Sequence, residues 1–318
     1  MTRRTIKPET CNQLLDTFYA DLRVAKVKKL AFSGVGNRDV YNITAPFQYN
    51  GEDVLLGRVE ERDSEFSQVF FFTCENEVWS PRVHTHTYNL QDPCYALIKG
   101  ELIVGGVELL TAADDPARIV SWITQFYRGF AIDSLCHFSS GPGTMKDIRL
   151  IELADGRIGI FTRPQGARGG RGQIGFTIIH SLEELNEQTF IDAEVLQDQF
   201  ISEEWGGANE AHLLSNGHVG VLGHIACFDT MDNKHYYSMV FSINPETFET
   251  TPIKIIAARS DFPIGPGKRP ELSDVIFSGG LIRLGNGRAV LSVGVSDAEA
   301  YQIDIPDPFC EYEVSSLN

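Results

Sequence analysis

Residues 147–162 read DIRLIELADGRIGIFT, two apolar runs facing each other across Asp155-Gly156. An Asx-Gly pair between such runs is the strongest short-range signal of a β-hairpin, because both residues tolerate the left-handed backbone that tight turns require. The same two-residue signal stands at Asn50-Gly51, Asn216-Gly217 and Asn286-Gly287, with a weaker one at Lys99-Gly100. Successive signals lie about 50–70 residues apart, the length of a four-stranded sheet unit in a propeller. A sandwich or jelly roll has no need of such evenly spaced, equivalent hairpins. The spacing predicts an all-β chain forming a single five-bladed β-propeller domain over 1–318. Its blades fall at about 29–80, 81–140, 141–200, 201–265 and 266–310.

Helical periodicity is confined to short segments. Leu14, Leu15, Phe18, Leu22 and Val24 recur at helical spacing, and Pro8 and Glu9 suit a first turn, so an N-terminal helix is expected at about 8–27. A second short helix is expected over 115–127, DPARIVSWITQFY, and a helical turn within the loop SLEELNE at 181–187.

Composition narrows the function. A net charge of -16 disfavours nucleic acid and anionic membrane surfaces as partners, so any anionic ligand must be held by a local basic site. The six cysteines have no C-x-x-C spacing, which fits a reducing compartment. The opening MTRRTIKPETC lacks the apolar core of a secretory leader, and no apolar run is long enough to span a bilayer. A cytoplasmic protein is the expectation.

Registering the units on their hairpins aligns two sets of positions. Seven or eight residues before the turns stand Asn42, Asp92, Asp147, Asn209 and Ser278; eight after them stand Arg58, Val107, Arg163, His224 and Gly294. A hairpin makes the start of one strand and the end of its partner neighbours, so both sets lie at one end of the sheets. Polar groups from different blades then converge on one mouth of the channel. The bland alternative is that polar residues merely mark strand ends near solvent.

Other motifs weigh less. RPQGARGGRGQIGF at 163–176 has the look of an RGG segment, but the acidic background favours a hairpin loop or a mobile loop over a phosphate or nucleotide. His84 and His86 would share a strand face as a metal pair does, yet no third ligand has matching spacing, so exposed histidines are expected and no metal. Gly141-Pro142-Gly143 precedes a strand, which excludes a dinucleotide or P-loop motif. No cofactor is implied.

The strings QDPCYALIKGELIVGG (91–106), MKDIRLIELADGRIGIFTRP (145–164), GHIACFD (223–229) and DVIFSGG…VGVSD (274–297) carry a resemblance. In order and spacing they resemble the five-bladed mannoside phosphorylases of glycoside hydrolase family 130, with their E-D-P-R, G-K-D and G-A-A-D elements. The match is closer to the MTP-like mannosyltransferase/phosphorylases of β-1,2-mannan, glycosyltransferase family 108, and covers nearly the whole chain after residue 30. The resemblance implies Asp92, at the D-P step, as general acid. It implies a phosphate ring of Lys146 and Arg163 with His224 and Arg128, the last in FYRG. Asn42, Arg58, Asp147, Asn209 and Asp297 would bind the reacting mannose. Cys94 departs from the pattern, standing where the phosphorylases have Arg after D-P, which bears on the acceptor side of the pocket.

The implied activity is an inverting β-1,2-mannoside phosphorylase and mannosyltransferase. It moves mannose between oligomannosides and inorganic phosphate, through mannose 1-phosphate, and the close family also uses GDP-mannose. Phosphate arrives already anionic, so the enzyme needs a cationic clamp rather than a carboxylate base. Lys146, Arg149, Arg163, Arg168 and Arg171 of one blade are available for it. The acid must stay protonated, so Asp92 should sit where its charge is disfavoured; cationic neighbours push the other way and bound phosphate offsets them. The rivals are an inverting hydrolase on the same scaffold, pairing Asp92 with another channel carboxylate, and a non-catalytic sugar-binding propeller.

Overall fold

The computed structural model describes residues 7–21 and 25–314. Helix Cys11–Ala20 comes first, closed by a capping box in which Gln13 N donates to Thr10 Oγ1 and Thr10 N donates to Gln13 Oε1. Such a cap contributes about 1 kcal/mol. Leu14 and Phe18 bury beside Val219, Val221 and Ile255. The helix is shorter than expected. Pro8 and Glu9 precede the Thr10 cap, and Asp21 is already extended. The chain then enters strand Lys26–Lys29, which pairs antiparallel with Glu299–Pro306 near the other end of the chain. Leu22 and Val24 lie outside the described residues.

The expected helix at 115–127 is a strand. Asp115–Gly129 runs antiparallel to Glu101–Ala112 over nearly its whole length. Ile119, Val120, Ile123 and Thr124 are β-branched and Trp122, Phe126 and Tyr127 aromatic, so the pleated surface wins over the helical spacing. SLEELNE does hold helical turns, Leu182–Glu184 and the start of Glu187–Asp192.

Among the described residues four sheets carry the fold. One is a six-stranded sheet built on Glu52–Glu60, Ser67–Glu75 and Val78–Pro81. Two are four-stranded meanders, Gln91–Ile98 through Cys136–Ser140 and Arg149–Glu152 through Glu194–Val195. The eight-stranded sheet is two meanders, Trp205–Leu213 through Lys254–Ala257 and Asp274–Arg283 through Glu299–Pro306, the latter completed by Lys26–Lys29. They join only where His235 and Tyr236 pair in parallel with Asp274 and Val275. Successive meanders pack side by side. Gln91–Ile98 lies between Glu52–Glu60 and Arg149–Glu152, Arg149–Glu152 lies beside Trp205–Leu213, and that strand lies beside Asp274–Arg283. The last meander returns to the first through Asp39–Tyr41. Hydrophobic clusters fill the seams, such as Val54, Leu56 and Phe71 against Leu102 and Val104, or Ile98 and Ile103 against Ile148 and Ile160.

Each hairpin signal falls on a turn between two consecutive antiparallel strands, Phe47–Tyr49 and Glu52–Glu60 in the first meander, but by two routes. Asn50-Gly51 and Lys99-Gly100 are two-residue turns with positive φ at both positions, 51° and 83°, 52° and 80°. At Gly156 and Gly217 only the glycine is left-handed, whereas the third loop has two left-handed glycines, Gly285 and Gly287. There the loop is longer, closed by Leu153 N to Arg157 O, Leu214 N to His218 O and Leu284 N to Arg288 O. In each, the preceding Asx Oδ1 accepts from the backbone N–H two residues on, at 3.1 Å. The loops at Gly156 and Gly217 are type I turns followed by a left-handed residue, with Gly156 N donating to Leu153 O and Gly217 N to Leu214 O. Left-handed Gly285 gives the third loop a different path, and the shared Asx side-chain bond explains why the pair recurs in all three.

Candidate active site

Four residues at strand ends share an unusual backbone: Asn42 just after Asp39–Tyr41, Asp92 and Asp147 at or before the starts of Gln91–Ile98 and Arg149–Glu152, and Asp297 in the turn from Arg288–Val295 to Glu299–Pro306. Asn42, Asp92, Asp147 and Asp297 all have positive φ, at 46°, 47°, 58° and 50°. Asn and Asp tolerate this region better than other residues with a Cβ. Pairing is interrupted at the same level: the register shifts between Gln91 and Cys94, Ala208 and Glu210, and Ser278 and Gly280. Bulges of this kind re-aim side chains.

The result is one cavity of about 210 Å³. Its lining includes Asn42, Arg58, Asp92, Lys146, Asp147, Arg163, His224 and Asp297, contributed by every meander. Asn209 sits behind this surface, its Oδ1 2.9 Å from His224 Nδ1. Ser278 is buried deeper, donating to Gly223 O. Arg128 is elsewhere. It pairs with Glu101 and Glu183 and lies over the Phe138 ring, at the opposite end of its strand pair from Asp92. Its partner strand reaches Arg128 from the Lys99-Gly100 turn, so no phosphate position is shared with Lys146. Arg149, Arg168 and Arg171 also miss the cavity: Arg149 bonds to Asn209 O and Ile148 O, Arg168 to Ala193 O, and Arg171 covers Trp205 and Phe228.

Asp92 is held from two sides. Asn42 Nδ2 donates to its Oδ1 at 2.7 Å and Arg58 Nη1 to the same oxygen at 3.0 Å. Burial works to raise its pKa, but Arg58, Lys146 and the Asn42 hydrogen bond outweigh it and hold the carboxyl below its ordinary value. The expectation that the site disfavours this charge is therefore not met without an anion. Arg58 is fixed in turn by Glu60, to which Nε donates at 2.8 Å, and Glu60 takes Lys268 Nζ at 2.8 Å and the Tyr41 hydroxyl. Asp297 moves the other way: burial, with Asp92 and Glu60 nearby, outweighs Arg58 and Lys268 and raises it.

The opposite wall is cationic. Arg163 Nε donates to Gly206 O at 2.7 Å, which leaves its buried Nη1 without a hydrogen bond, 3.3 Å from Asp147 Oδ2. Among the described residues Lys146 has no ion-pair partner within 4.0 Å, although Asp92 and Asp147 both feel its charge. Burial favours the neutral form of Asp147, but Arg163, His224, Lys146 and Arg149 prevail and keep it ionised. Burial pushes the His224 imidazole down to about 3, with Asp147 opposing and Arg163, Lys146 and Arg149 assisting. The ring is stacked on Tyr236, centroids 5.3 Å apart. Glycine is required where the wall is tightest: a Cβ on Gly207 would stand 2.9 Å from both Arg163 Cδ and His224 Cε1.

The sequence reading missed Lys268, Glu65, Lys234 and Arg269, which also line the cavity. Lys268 and Arg269 lie in the loop Gly265-Pro266-Gly267-Lys268-Arg269-Pro270, where two adjacent cations between glycines and prolines were the available signal. Among the described residues no cluster of three His, Cys, Asp or Glu could hold a metal, and His84 lies in an exposed turn rather than a strand. No helix among them is long and apolar enough to cross a membrane.

The family model described as "Protein of unknown function (DUF1861)" matches residues 16–311. No curated protein matches the sequence. Among solved structures the chain is similar to MPT-4, a mannose phosphorylase from Leishmania mexicana in complex with phosphate ion. The identity is 36%, the TM-score 0.87, and 94% of this chain and 93% of that one are covered. It is also similar to MPT-1, a GDP-Man-dependent mannosyltransferase from Leishmania mexicana, at 33% identity and TM-score 0.86, covering 95% and 96%. The β-1,2-mannobiose phosphorylase of Listeria innocua shares the fold at 13% identity and TM-score 0.60, covering 93% and 96%.

Proposed function

The chain belongs to the DUF1861 family and to that of the Leishmania mannose phosphorylase and mannosyltransferase, and from that membership we propose that it is an inverting β-1,2-mannoside phosphorylase and mannosyltransferase. The domain is one five-bladed propeller over the whole chain. The cyclic packing of the meanders and the first strand's pairing with the last sheet support that reading. A cytoplasmic location accords with six free cysteines.

One observation carries the activity: a carboxyl anchored through a single oxygen faces a cationic wall across a cavity large enough for one sugar and one anion. With Oδ1 engaged by Asn42 and Arg58, Asp92 Oδ2 is the oxygen that holds the proton. It donates that proton to the glycosidic oxygen as the C1–O bond breaks. Phosphate, held by Lys146, Arg163 and His224, attacks C1 from the opposite face and leaves as α-mannose 1-phosphate. In reverse, mannose 1-phosphate is the donor, an oligomannoside hydroxyl attacks C1 as it gives its proton to Asp92, and phosphate leaves; with GDP-mannose as donor the same transfer releases GDP. Arg58, Asn42, Asp147 and Asp297 orient the mannose hydroxyls, and Asn209 positions His224.

Phosphate itself supplies the means by which Asp92 becomes an acid. A dianion beside Lys146 and Arg163 cancels much of the field that keeps the carboxyl ionised, so its pKa rises when phosphate enters. Asp147 is a poor base for water, being committed to Arg163 and Arg149. A phosphate titration of mannoside breakdown tests the proposal. Sugar release that saturates with phosphate supports it, and release that proceeds equally without phosphate makes the protein a hydrolase.

A further inference from the structure

Gln91 stands between two cavities. On one side it lines the active-site cavity next to Asp92, and on the other it lines a groove of about 540 Å³. Its amide Nε2 donates to Glu65 O at 2.7 Å, so the shared side chain is fixed. One wall of the groove is the 61–68 connection of the first meander. The other is the strand pair Glu101–Ala112 and Asp115–Gly129. That pair outgrows its neighbour. Gln91 is the last partner of the preceding strand, at Val107, yet the pairing continues from Val107–Thr124 out to Ala112–Asp115. Residues 108–121 thus rise beyond the mouth and shelter the groove.

The lining has the chemistry of a neutral polyol site. Phe66 is 48% exposed, an aromatic ring open to solvent beside polar groups. The axial C–H face of a sugar packs on such a ring while its hydroxyls seek amides and carboxylates. The amides are arranged in series: Arg38 Nη1 donates to Gln68 Oε1 at 3.2 Å, and Gln68 Nε2 to Asn89 Oδ1 at 3.3 Å. Across from them Glu108 accepts from Gln125 at 2.6 Å. Glu61 and Glu108 place negative charge here, and Arg38, the one cation among the described lining residues, is already bonded to Val35 O and Gln68. An anion such as a nucleotide diphosphate is repelled, whereas an uncharged sugar is not. The volume falls within the usual 300–1,000 Å³ range of ligand sites.

We propose that this groove is a second sugar subsite, holding the part of an oligomannoside acceptor or leaving group that lies beyond the first sugar, with Phe66 as its platform. The inference rests on the mannoside reading of the main cavity. The groove sets chain-length preference: a disaccharide does not reach it, and longer substrates pass over Gln91 into it.

The experiment compares kcat/KM for β-1,2-linked mannobiose and mannotetraose in wild type, Phe66→Ala and Asn89→Ala, with melting temperatures as a check on folding. Wild type favours the tetramer. Phe66→Ala lowers the tetramer value about 3–10-fold and leaves the dimer within about twofold. Equal wild-type values for the two lengths, or equal losses for both in the variants, overturn the subsite. If wild type turns over neither substrate, the phosphorylase reading fails separately and calorimetry with mannotetraose judges the groove. Binding weakened by Phe66→Ala sustains the sugar site, and binding that is absent or unaffected overturns it.

Discussion

Arg58 Nη1 donates to Asp92 Oδ1 at 3.0 Å while the same guanidinium holds Glu60 through Nε and Nη2 at 2.8 and 2.7 Å. Asp92 is therefore positioned by a buried chain of charges that runs through Glu60 to Lys268 and on to Glu65 nearer the surface. Such a chain costs desolvation, and its return is geometric: one oxygen of Asp92 is immobilised and the other is left for chemistry.

Replacing Asp92 with Asn keeps the Arg58 and Asn42 contacts in shape but removes the proton. Phosphorolysis should fall about 10²–10⁴-fold with the mannoside still bound. The pH behaviour follows from the depressed carboxyl. Free enzyme holds Asp92 ionised, and phosphate raises its pKa, so phosphate binding takes up a proton and tightens as pH falls. Calorimetry in buffers of different ionisation enthalpy reads that uptake. Retained activity in Asp92→Asn would move the acid to another carboxyl, with Asp297 the first candidate.

Lys146 is half-buried and without an ion pair among the described residues, so its removal should leave the fold alone. Lys146→Ala is expected to raise the phosphate KM about 10–100-fold while the mannoside KM stays nearly constant, since only one substrate loses a charge-assisted contact. Arg163→Ala should show the same split, with some loss of stability because Gly206 O and Asp147 lose their partner. Equal effects on both substrates would make these cations structural.

Gly294 lies against the backbone of another unit. A Cβ there would stand 1.9 Å from Asn42 Oδ1 and 2.6 Å from Asn42 N, and the backbone atom cannot step aside cheaply. Gly294→Ala should displace Asn42 from Asp92, lowering activity and costing about 1–3 kcal/mol of stability by overpacking. Denaturant unfolding and turnover measure the two effects. A variant indistinguishable from wild type in both would show that the Asn42 contact is dispensable.

His224 links stability to pH. Its folded pKa of about 3 lies below the ordinary value near 6.5, so the unfolded chain binds the proton first as pH falls. Its contribution is therefore neutral above about pH 6.5 and increasingly destabilising below, about 2 kcal/mol by pH 5. Urea midpoints of wild type and His224→Gln should converge as pH drops from 7.5 to 5. Parallel profiles would mean that the imidazole is not buried neutral.

The Asx-Gly turns were legible because local geometry imposes them: Asp155, Asn216 and Asn286 each accept from the residue two positions on. Registering on those turns brought Asn42, Arg58, Asp92, Asp147, Arg163 and His224 to one cavity, since strand length alone sets that distance. Its limits were also physical. The strand 115–129 carries helix-spaced apolar residues, and only pairing with Glu101–Ala112 decides it. Arg128 sits at the wrong end of that strand, which a motif without a register does not reveal. Lys268 and Glu65 come from loops of the last and first meanders, and their meeting depends on the chain closing on itself.

The most direct measurement follows β-1,2-mannobiose with the wild-type enzyme and inorganic phosphate by ³¹P and ¹H NMR. An inverting phosphorylase gives equimolar α-mannose 1-phosphate and mannose, and nothing when phosphate is omitted. Free mannose without phosphate, or the β anomer of the sugar phosphate, would contradict direct attack by a clamped phosphate opposite Asp92.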